Sequence, residues 1–272
     1  MSQEFLIPET EAADVSRERR SMVVRATRKT TLPVITAAIV LVAWEIFVDV
    51  SGIRAAVLPA PSSVLQATWA NRDLLIANAI PTTVETIGGF ILSVVLGGFL
   101  GVLLTYFSAF RDALYPNVIV FQLIPKVAIA PLFILWLGIG WESRVAIALF
   151  IAFFPIVIST VSGLNAADAA ILRLCESLAA SRWQIFFKIR LPYSLSFLFN
   201  GMKISITLAI IGVIVGEFIT SQRGLGYIIL FAGSRLETAT VMAALLVLCT
   251  VGLALYGLIA VAERLIMAKY GS

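Results

Sequence analysis

Polar side chains inside long apolar runs are the residues of this chain whose chemistry stands out. Gln122, Lys126 and Glu217 lie within such runs, and so do Glu45 and Asp49. Such groups are costly in lipid unless they face protein or water, and they commonly mark a solute or ion path. We therefore predict that Gln122, Lys126 and Glu217 line a translocation path or gate. A competing hypothesis is an intramembrane enzyme that uses Glu45, Asp49 and Glu217 as acid and base.

Lys126 lies between two prolines, Pro125 and Pro131, which interrupt a helix and free backbone groups where a cavity can use them. Two roles stay open for its ammonium group. One is contact with an anionic solute, and the other is an ion pair with an acidic residue of a neighbouring helix.

The remaining composition argues against catalysis. The chain has no histidine, the commonest general base and metal ligand. Cys175 and Cys249 lie far apart in the sequence, and we interpret both as small packing residues. No G-x-x-x-x-G-K-[ST] phosphate loop occurs, so the chain does not cradle a nucleotide in the usual way. We expect no enzyme activity, no bound cofactor or metal, and no nucleic-acid partner.

Membrane-spanning helices must position these groups. The 272 residues are 60% hydrophobic and 13% charged, whereas a soluble domain is about 25% charged. The predicted fold is all-α, a polytopic transmembrane helical bundle in residues 32–272, preceded by a cytoplasmic tail in residues 1–31. A span needs about 20 apolar residues. Six spans are predicted, at approximately 32–50, 86–110, 115–137, 145–167, 197–219 and 238–262.

The basic residues predict the orientation. With a cytoplasmic N-terminus, thirteen Lys and Arg residues fall on the cytoplasmic side and five on the other. Cytoplasmic segments carry the excess of positive charge, so both termini are predicted to be cytoplasmic.

Two further patterns concern packing. Gly97 and Gly101 form a small-xxx-small pair, which lets helices approach closely, either within one chain or between two copies. Prolines and serines in residues 58–63 indicate an extended turn followed by a short capped helix.

The loop in residues 168–196 is long for a membrane protein and has the pattern of an ordered structure. Apolar residues recur at helical spacing from Asp168 to about Ala180. Ser181 and Gln184 then form a capping box that starts a second helix, predicted to stop before Pro192. We expect a bent helical pair with exposed aromatic residues. Such a pair suits a groove on a partner protein or the surface of an anionic membrane.

The sequence here resembles the EAA loop of binding-protein-dependent ABC transporter permeases. The run is Ala180-Ser181-Arg182-Trp183-Gln184-Ile185-Phe186-Phe187-Lys188-Ile189-Arg190-Leu191-Pro192, which ends in the family's Ile-x-Leu-Pro pattern. Three other stretches resemble the nitrate, sulfonate and taurine branch: Leu58-Pro59-Ala60-Pro61-Ser62-Ser63, the run from Ile124 to Trp136, and Arg223-Gly224-Leu225-Gly226-Tyr227.

The resemblance implies a type I ABC importer permease in a bacterial inner membrane. The partners that it implies are an ATPase dimer that hydrolyses ATP, a second permease chain as a homodimer, and an external solute-binding protein. Its coupling loop would dock on the ATPase through Ala179, Ser181, Arg182, Trp183, Gln184, Phe186, Leu191 and Pro192. Ala179 stands where the motif has glycine, so we expect a shallower bend; Glu176 is out of register with the motif glutamate.

The substrate that the branch implies is a small organic or inorganic anion such as a sulfonate, taurine or nitrate. Relatives that carry thiamine-precursor pyrimidines or flavins provide an alternative. A self-sufficient secondary transporter is a further alternative, although such proteins usually show internal repeats, and none is evident in this sequence.

Overall fold

The computed structural model describes residues 31–220 and 222–270. Within these ranges every regular element is a helix, which confirms the all-α class. In chain order the α-helices are α1 (Thr31–Ser51), α2 (Pro61–Ala70), α3 (Arg72–Tyr106), α4 (Ser108–Leu123), α5 (Ala130–Leu137), α6 (Trp141–Leu164), α7 (Ala169–Ser177), α8 (Arg182–Ile185), α9 (Leu191–Thr220), α10 (Leu225–Ser234) and α11 (Thr238–Tyr270). Most of the predicted tail, residues 1–30, lies outside the described residues.

The chain divides into two units, residues 1–65 and 66–272. In the first unit, α1 is an apolar helix of 21 residues. The carboxylate of Glu45 on α1 accepts hydrogen bonds from the N–H and the hydroxyl of Ser62, at 3.0 and 2.5 Å. Glu45 therefore fastens the start of α2, which begins at Pro61 as the proline and serine pattern predicts.

Among the described residues, five helices are long and apolar enough to cross a membrane. The count rises to six if the bent pair Ser108–Leu123 and Lys126–Leu137 forms one span. The two parts of that pair meet at 93°. Ile124 and Pro125 are extended there, and for Ile124 this agrees with the preference of the residue before a proline for an extended conformation. The predicted continuous span 115–137 is thus broken, and α4 already begins at Ser108, before the predicted start of that span.

The predicted start of the span 86–110 was also wrong. The helix α3 begins at Arg72, and it ends at Tyr106, where Phe107 is extended. The span was predicted to start after Glu85 because a charged residue looked like its boundary. In the structure Glu85 lies inside the helix and is paired, so its charge does not end the apolar stretch.

Pro192 does not end a helix, contrary to the prediction. A single helical stretch runs over Arg182–Thr220, with a π-helical turn at Phe186–Arg190 just before the proline. In this turn the N–H of Leu191 donates to Phe186 O, five residues back instead of four. The backbone hydrogen bonds have therefore changed to a spacing of five residues just before the proline. The missing N–H of Pro192 then does not interrupt the helix.

Helix α6 is the centre of the second unit and packs between α3 and α9. Glycines set the close approach: a Cβ at Gly89 would lie 2.6 Å from the Cβ of Ala148, and a Cβ at Gly101 would lie 2.5 Å from that of Thr160. Gly97 meets Ile156 in the same way. The small-xxx-small pair Gly97 and Gly101 thus packs α3 on α6 of the same chain.

Candidate functional site

The loop that joins α6 to α9 is a bent helical pair whose bend is fixed by hydrogen bonds. Asp168 caps α7 by accepting from the N–H of Ala170 at 2.7 Å. At the other end, the N–H of Ala180 donates to Cys175 O, and that of Ala179 donates to Glu176 O. Ala179 itself has φ of +55°. These are the bonds of a Schellman turn, so the sharp bend of the motif is present with alanine in place of glycine, and the expected shallower bend was wrong.

The second helix starts with the predicted capping box. The Ser181 hydroxyl accepts from the N–H of Gln184 at 3.2 Å, and the Gln184 side chain accepts from the N–H of Ser181 at 2.8 Å. Two N–H groups that would otherwise lack partners are satisfied.

Aromatic residues of this second helix divide into a tip and a base. At the tip, Trp183 is 72% exposed and stacks on Phe187, with ring centroids 5.8 Å apart. At the base, Phe186 packs edge-on against Tyr106 of α3, and Arg190 donates to Leu164 O at the end of α6. Phe186 is therefore an anchor of the loop rather than one of its exposed aromatic residues.

Leu174 and Leu178 of the first helical segment are exposed as well. Leu174, Leu178, Trp183 and Phe187 are thus exposed apolar residues of the bent loop, and we call this set the loop tip. A groove of about 380 Å³ runs between the loop and α3. It is lined by Phe99, Val102, Leu103, Tyr106, Phe107, Arg182, Trp183 and Phe186.

Lys126 lies at the break between α4 and α5. Its ammonium group donates to Gln122 O at 3.2 Å and sits 5.3 Å from the centre of the Phe154 ring. Within residues 31–220 and 222–270, no carboxylate lies within salt-bridge distance of it, so the hypothesis of a pair with an acidic residue was wrong for these residues. Gln122 is exposed one turn before Lys126.

A charged chamber lies at the ends of α3, α6 and α9 that are opposite to the bent loop. It has a volume of about 490 Å³. Its lining is Pro81, Glu85, Ile139, Trp141, Arg144, Thr220, Gln222 and Arg223, and we call it the far-end chamber. Arg144 donates to Glu85 from Nε and Nη2, at 2.7 and 2.5 Å. The fork of the guanidinium matches the two carboxylate oxygens, so α3 and α6 are joined by a charge-assisted pair.

Glu217, the third predicted path residue, is 1% exposed and does not share a contact with Gln122 or Lys126. Its carboxyl group accepts from the Thr82 hydroxyl at 2.6 Å and from the N–H of Gly226 at 2.7 Å. The structure thus separates the three predicted residues into the exposed Gln122 and the half-buried Lys126 at the α4 break and a buried acceptor near α10.

The sequence analysis missed two charged pairs. Glu85 and Arg144 had been placed just outside two predicted spans, and Lys203 on α9 pairs with Glu263 on α11. A signal was present for the first pair, because opposite charges stand beside neighbouring span ends on the same side. For the second pair the signal was weaker. Lys203 lies in one predicted span and Glu263 lies next to another, and nothing else in the sequence indicated that they pair.

A family model for the binding-protein-dependent transport system inner membrane component matches residues 93–267. The chain belongs to this family. The matched region includes α4 to α10, the bent loop and Glu217.

Curated relatives of this permease cover most of both chains. The riboflavin transport system permease protein RibX of Chloroflexus aurantiacus is 35% identical, over 87% of this chain and 88% of the relative. The taurine transport system permease protein TauC of Escherichia coli is 28% identical, over 88% and 90%. The fold is similar to a chain of the MetNI methionine ABC transporter in an inward-facing conformation, with a TM-score of 0.62, 23% identity, and coverage of 75% of this chain and 99% of that chain.

The protein is therefore a multi-pass membrane permease component of an ABC importer and not an enzyme. Family membership implies an ATPase and a solute-binding protein as partners. The intramembrane enzyme hypothesis is excluded on this ground, and in the structure one of its carboxylates, Glu45, holds Ser62 instead.

Proposed function

We propose that two copies of this chain form the homodimeric permease of an importer driven by an ATPase dimer. The observation that carries the proposal is the loop tip. An exposed Trp183 stands on a base that is fixed to α3 and α6 by Phe186 and Arg190. An exposed aromatic on a rigid support suits a groove on a partner, because little conformational entropy is lost on docking.

The membrane surface is the other candidate partner of the loop. The bond from Arg190 to Leu164 O and its position over the Tyr106 ring hold this cation against the protein at the base of the loop. The tip residues Leu174, Leu178, Trp183 and Phe187 carry no charge. Arg182 and Lys188 beside the tip are exposed and would suit anionic lipid. The fixed base at Phe186 and Arg190 is what favours a protein groove, and the membrane surface is an outcome of the test below.

The proposal is tested by co-purifying the detergent-solubilised chain with its ATPase. Trp183→Asp is expected to lower the amount of bound ATPase about thirtyfold, the effect of losing an interface anchor worth about 2 kcal/mol. Trp69→Asp is the matched control, because Trp69 on α2 is equally exposed and lies outside the loop. Equal retention of the ATPase by both variants, or no complex with the unmodified chain, would contradict the proposal.

For the solute, we propose a small organic or inorganic anion such as a sulfonate, taurine or nitrate, delivered by the external binding protein. The taurine relative supports an anionic group on the solute. A flavin is the second candidate, because the riboflavin relative shares more identity with this chain. Uptake of labelled taurine and riboflavin by proteoliposomes that contain the permease, its ATPase and its binding protein discriminates the two.

For the setting, we propose a bacterial inner membrane with both termini in the cytoplasm. The excess of Lys and Arg on the side of the bent loop supports this orientation. The far-end chamber then opens toward the external binding protein, and the loop tip faces the ATPase.

A further inference from the structure

Helix α10 is an apolar half-helix of ten residues, too short to cross a bilayer. A helix leaves its first N–H groups without partners inside the helix, and in a membrane these groups must be satisfied by protein. At the start of α10 they are satisfied by side chains of other helices. Gly224 N–H donates to Asn78 at 2.8 Å, Leu225 N–H to Thr82 at 2.9 Å, and Gly226 N–H to Glu217 at 2.7 Å.

Glu217 is the centre of this arrangement. One of its oxygens accepts from Gly226 of α10, and the other accepts from the Thr82 hydroxyl of α3. The Thr82 oxygen in turn accepts from the N–H of Leu225. Three helices thus meet at one buried carboxyl group, which also lies at the positive end of the α10 dipole. We call Asn78, Thr82 and Glu217, with the N–H groups of residues 224–226, the α10 latch.

The glycines of the latch are required by its geometry. Gly224 has φ of +108°, and a Cβ there would collide with the Glu217 carboxyl group. A Cβ at Gly226 would lie 2.8 Å from Glu217 Oε2. The two glycines of the motif Arg223-Gly224-Leu225-Gly226 therefore leave the space that the Glu217 side chain occupies. Glu217 lies seven to nine residues before them in the chain.

The C-terminal end of α10 is also followed by a turn that contains a left-handed residue. Leu236 has φ of +59°, and the N–H of Glu237 reaches back to Ala232 O. A left-handed leucine is unfavourable and persists only where the surroundings impose it. The half-helix is thus a discrete body between two turns, joined to the rest of the unit by the latch and by packing of Leu225 and Ile228 on Leu75 and Ala244.

The position of the latch connects it to the far-end chamber. Thr220, Gln222 and Arg223 line that chamber and lie between Glu217 and Gly224 in the chain. Arg223 directly precedes Gly224, whose position is fixed by the latch. Displacement of α10 therefore displaces Arg223 at the chamber.

We propose that Glu217 is a positioning residue that holds α10, and with it Arg223 of the far-end chamber, in the closed arrangement of the transport path. It acts through α10 and not by contact with the solute, since it is enclosed by protein. Release of the latch opens this end without a signal from the binding protein, so ATP hydrolysis and uptake become uncoupled. The role in coupling rests on the proposed function, whereas the positioning of α10 does not.

The positioning is tested on the isolated full-length chain with a buried thiol reporter. Leu225 is fully buried, so Leu225→Cys in a Cys175→Ser, Cys249→Ser background is expected to resist a maleimide. Glu217→Ala should raise the labelling rate about tenfold, because the unlatched helix opens locally. Val157→Cys on α6, equally buried, should stay protected. Unchanged protection at residue 225 would overturn the proposal, and so would labelling at both positions, which would mean that Glu217 stabilises the whole bundle.

Coupling is tested in proteoliposomes with the ATPase and the binding protein, using whichever of taurine and riboflavin the unmodified transporter takes up. Glu217→Ala removes both acceptor oxygens, so the N–H of Gly226 and the Thr82 hydroxyl lose their partner, whereas a glutamine can still accept from Gly226 and donate to Thr82 Oγ1. Glu217→Ala should lower uptake per ATP about fivefold or more and leave hydrolysis running without the binding protein. Thr82→Val should also lower uptake per ATP and raise hydrolysis without the binding protein, but by a smaller factor.

The matched control is Ser205→Ala, which removes a buried bond from α9 to Ala152 O on α6 and leaves α10 untouched. It should keep uptake per ATP unchanged. If uptake and hydrolysis fall by one common factor in Glu217→Ala, the coupling role is wrong. If the unmodified chain binds no ATPase, the proposed function fails instead, while the thiol reporter still decides whether Glu217 positions α10.

Discussion

Arg144 of α6 grips the carboxylate of Glu85 of α3 with two of its guanidinium nitrogens, at 2.7 and 2.5 Å. Their side chains are 12% and 8% exposed. The pair joins two of the three central helices beside the far-end chamber. The two residues are 59 positions apart in the chain.

Breaking this pair on one side is expected to be costly. Arg144→Gln leaves the Glu85 carboxylate buried without its cation, and removing one partner of a buried pair typically costs about 3 to 5 kcal/mol. The double change Glu85→Gln, Arg144→Gln should cost less than the single change. Denaturation of the purified chain in detergent measures both. The control is Asp73→Asn, which removes the exposed pair with Arg72 and should cost less than about 1 kcal/mol. A cost for Arg144→Gln as small as that of the control would contradict the assigned role.

Replacing the left-handed alanine of the loop by glycine is expected to stabilise the protein. Ala179→Gly removes the clash of a Cβ at φ of +55° and should gain roughly 0.5 to 1 kcal/mol, after the added chain entropy of glycine is subtracted. Ala180→Gly, one residue along, adds the same entropy without relieving a left-handed residue, so it should gain nothing. Thermal unfolding of the two variants side by side checks the prediction, and equal shifts would speak against a strained bend.

We expect opposite effects when two neighbouring glycines of α3 are replaced by alanine, because only one of them lies against α6. Gly101→Ala places a Cβ 2.5 Å from Thr160, so the helices must separate and the yield of folded protein should fall. At Gly98 nothing lies within 4 Å of such a Cβ, so Gly98→Ala should be tolerated. Size-exclusion chromatography after solubilisation compares the two. Loss of a dimer with an intact monomer in Gly101→Ala would instead assign this glycine to a contact between copies.

The orientation of the chain in the membrane is tested with reporter proteins fused to it. A green fluorescent protein fused after Ser272 should fluoresce and an alkaline phosphatase at the same place should be inactive, because only the second needs export. A phosphatase fused near Trp141, on the other side of the membrane in this topology, should be active. The reverse pattern would invert the proposed topology and place the loop tip outside.

Local sequence signals predicted local structure well. Ser181 and Gln184 are three residues apart, and their capping box needs no information from elsewhere in the chain, so it was correctly predicted. Pro192 shows the limit of such reasoning. A proline disfavours the interior of an α-helix, yet Pro81, Pro116 and Pro155 also lie inside helices. At Pro192 the preceding π-helical turn removes the conflict, and no local pattern in the sequence indicates that turn.

Long-range partners could not be predicted in the same way. Glu85 looked like the edge of a span because its cation is 59 residues away. Glu217 was predicted to line a path from its polarity alone, whereas its partners Thr82 and Gly226 come from two other helices. The cost of a charge in a span indicates that a partner exists, but only the packing of the helices tells which.

The continuous helix over Arg182–Thr220 joins two distant parts of the molecule in one element. Its 39 residues extend for roughly 58 Å. One end carries Trp183 of the loop tip, and the other end carries Glu217 of the latch. Between them, Gly201 and Gly212 lie against Ser159 and Ala148 of α6, which holds the middle of the helix at two places. A shift of this helix as a rigid body would therefore move Trp183 and Glu217 together, so the loop and the latch are mechanically one part.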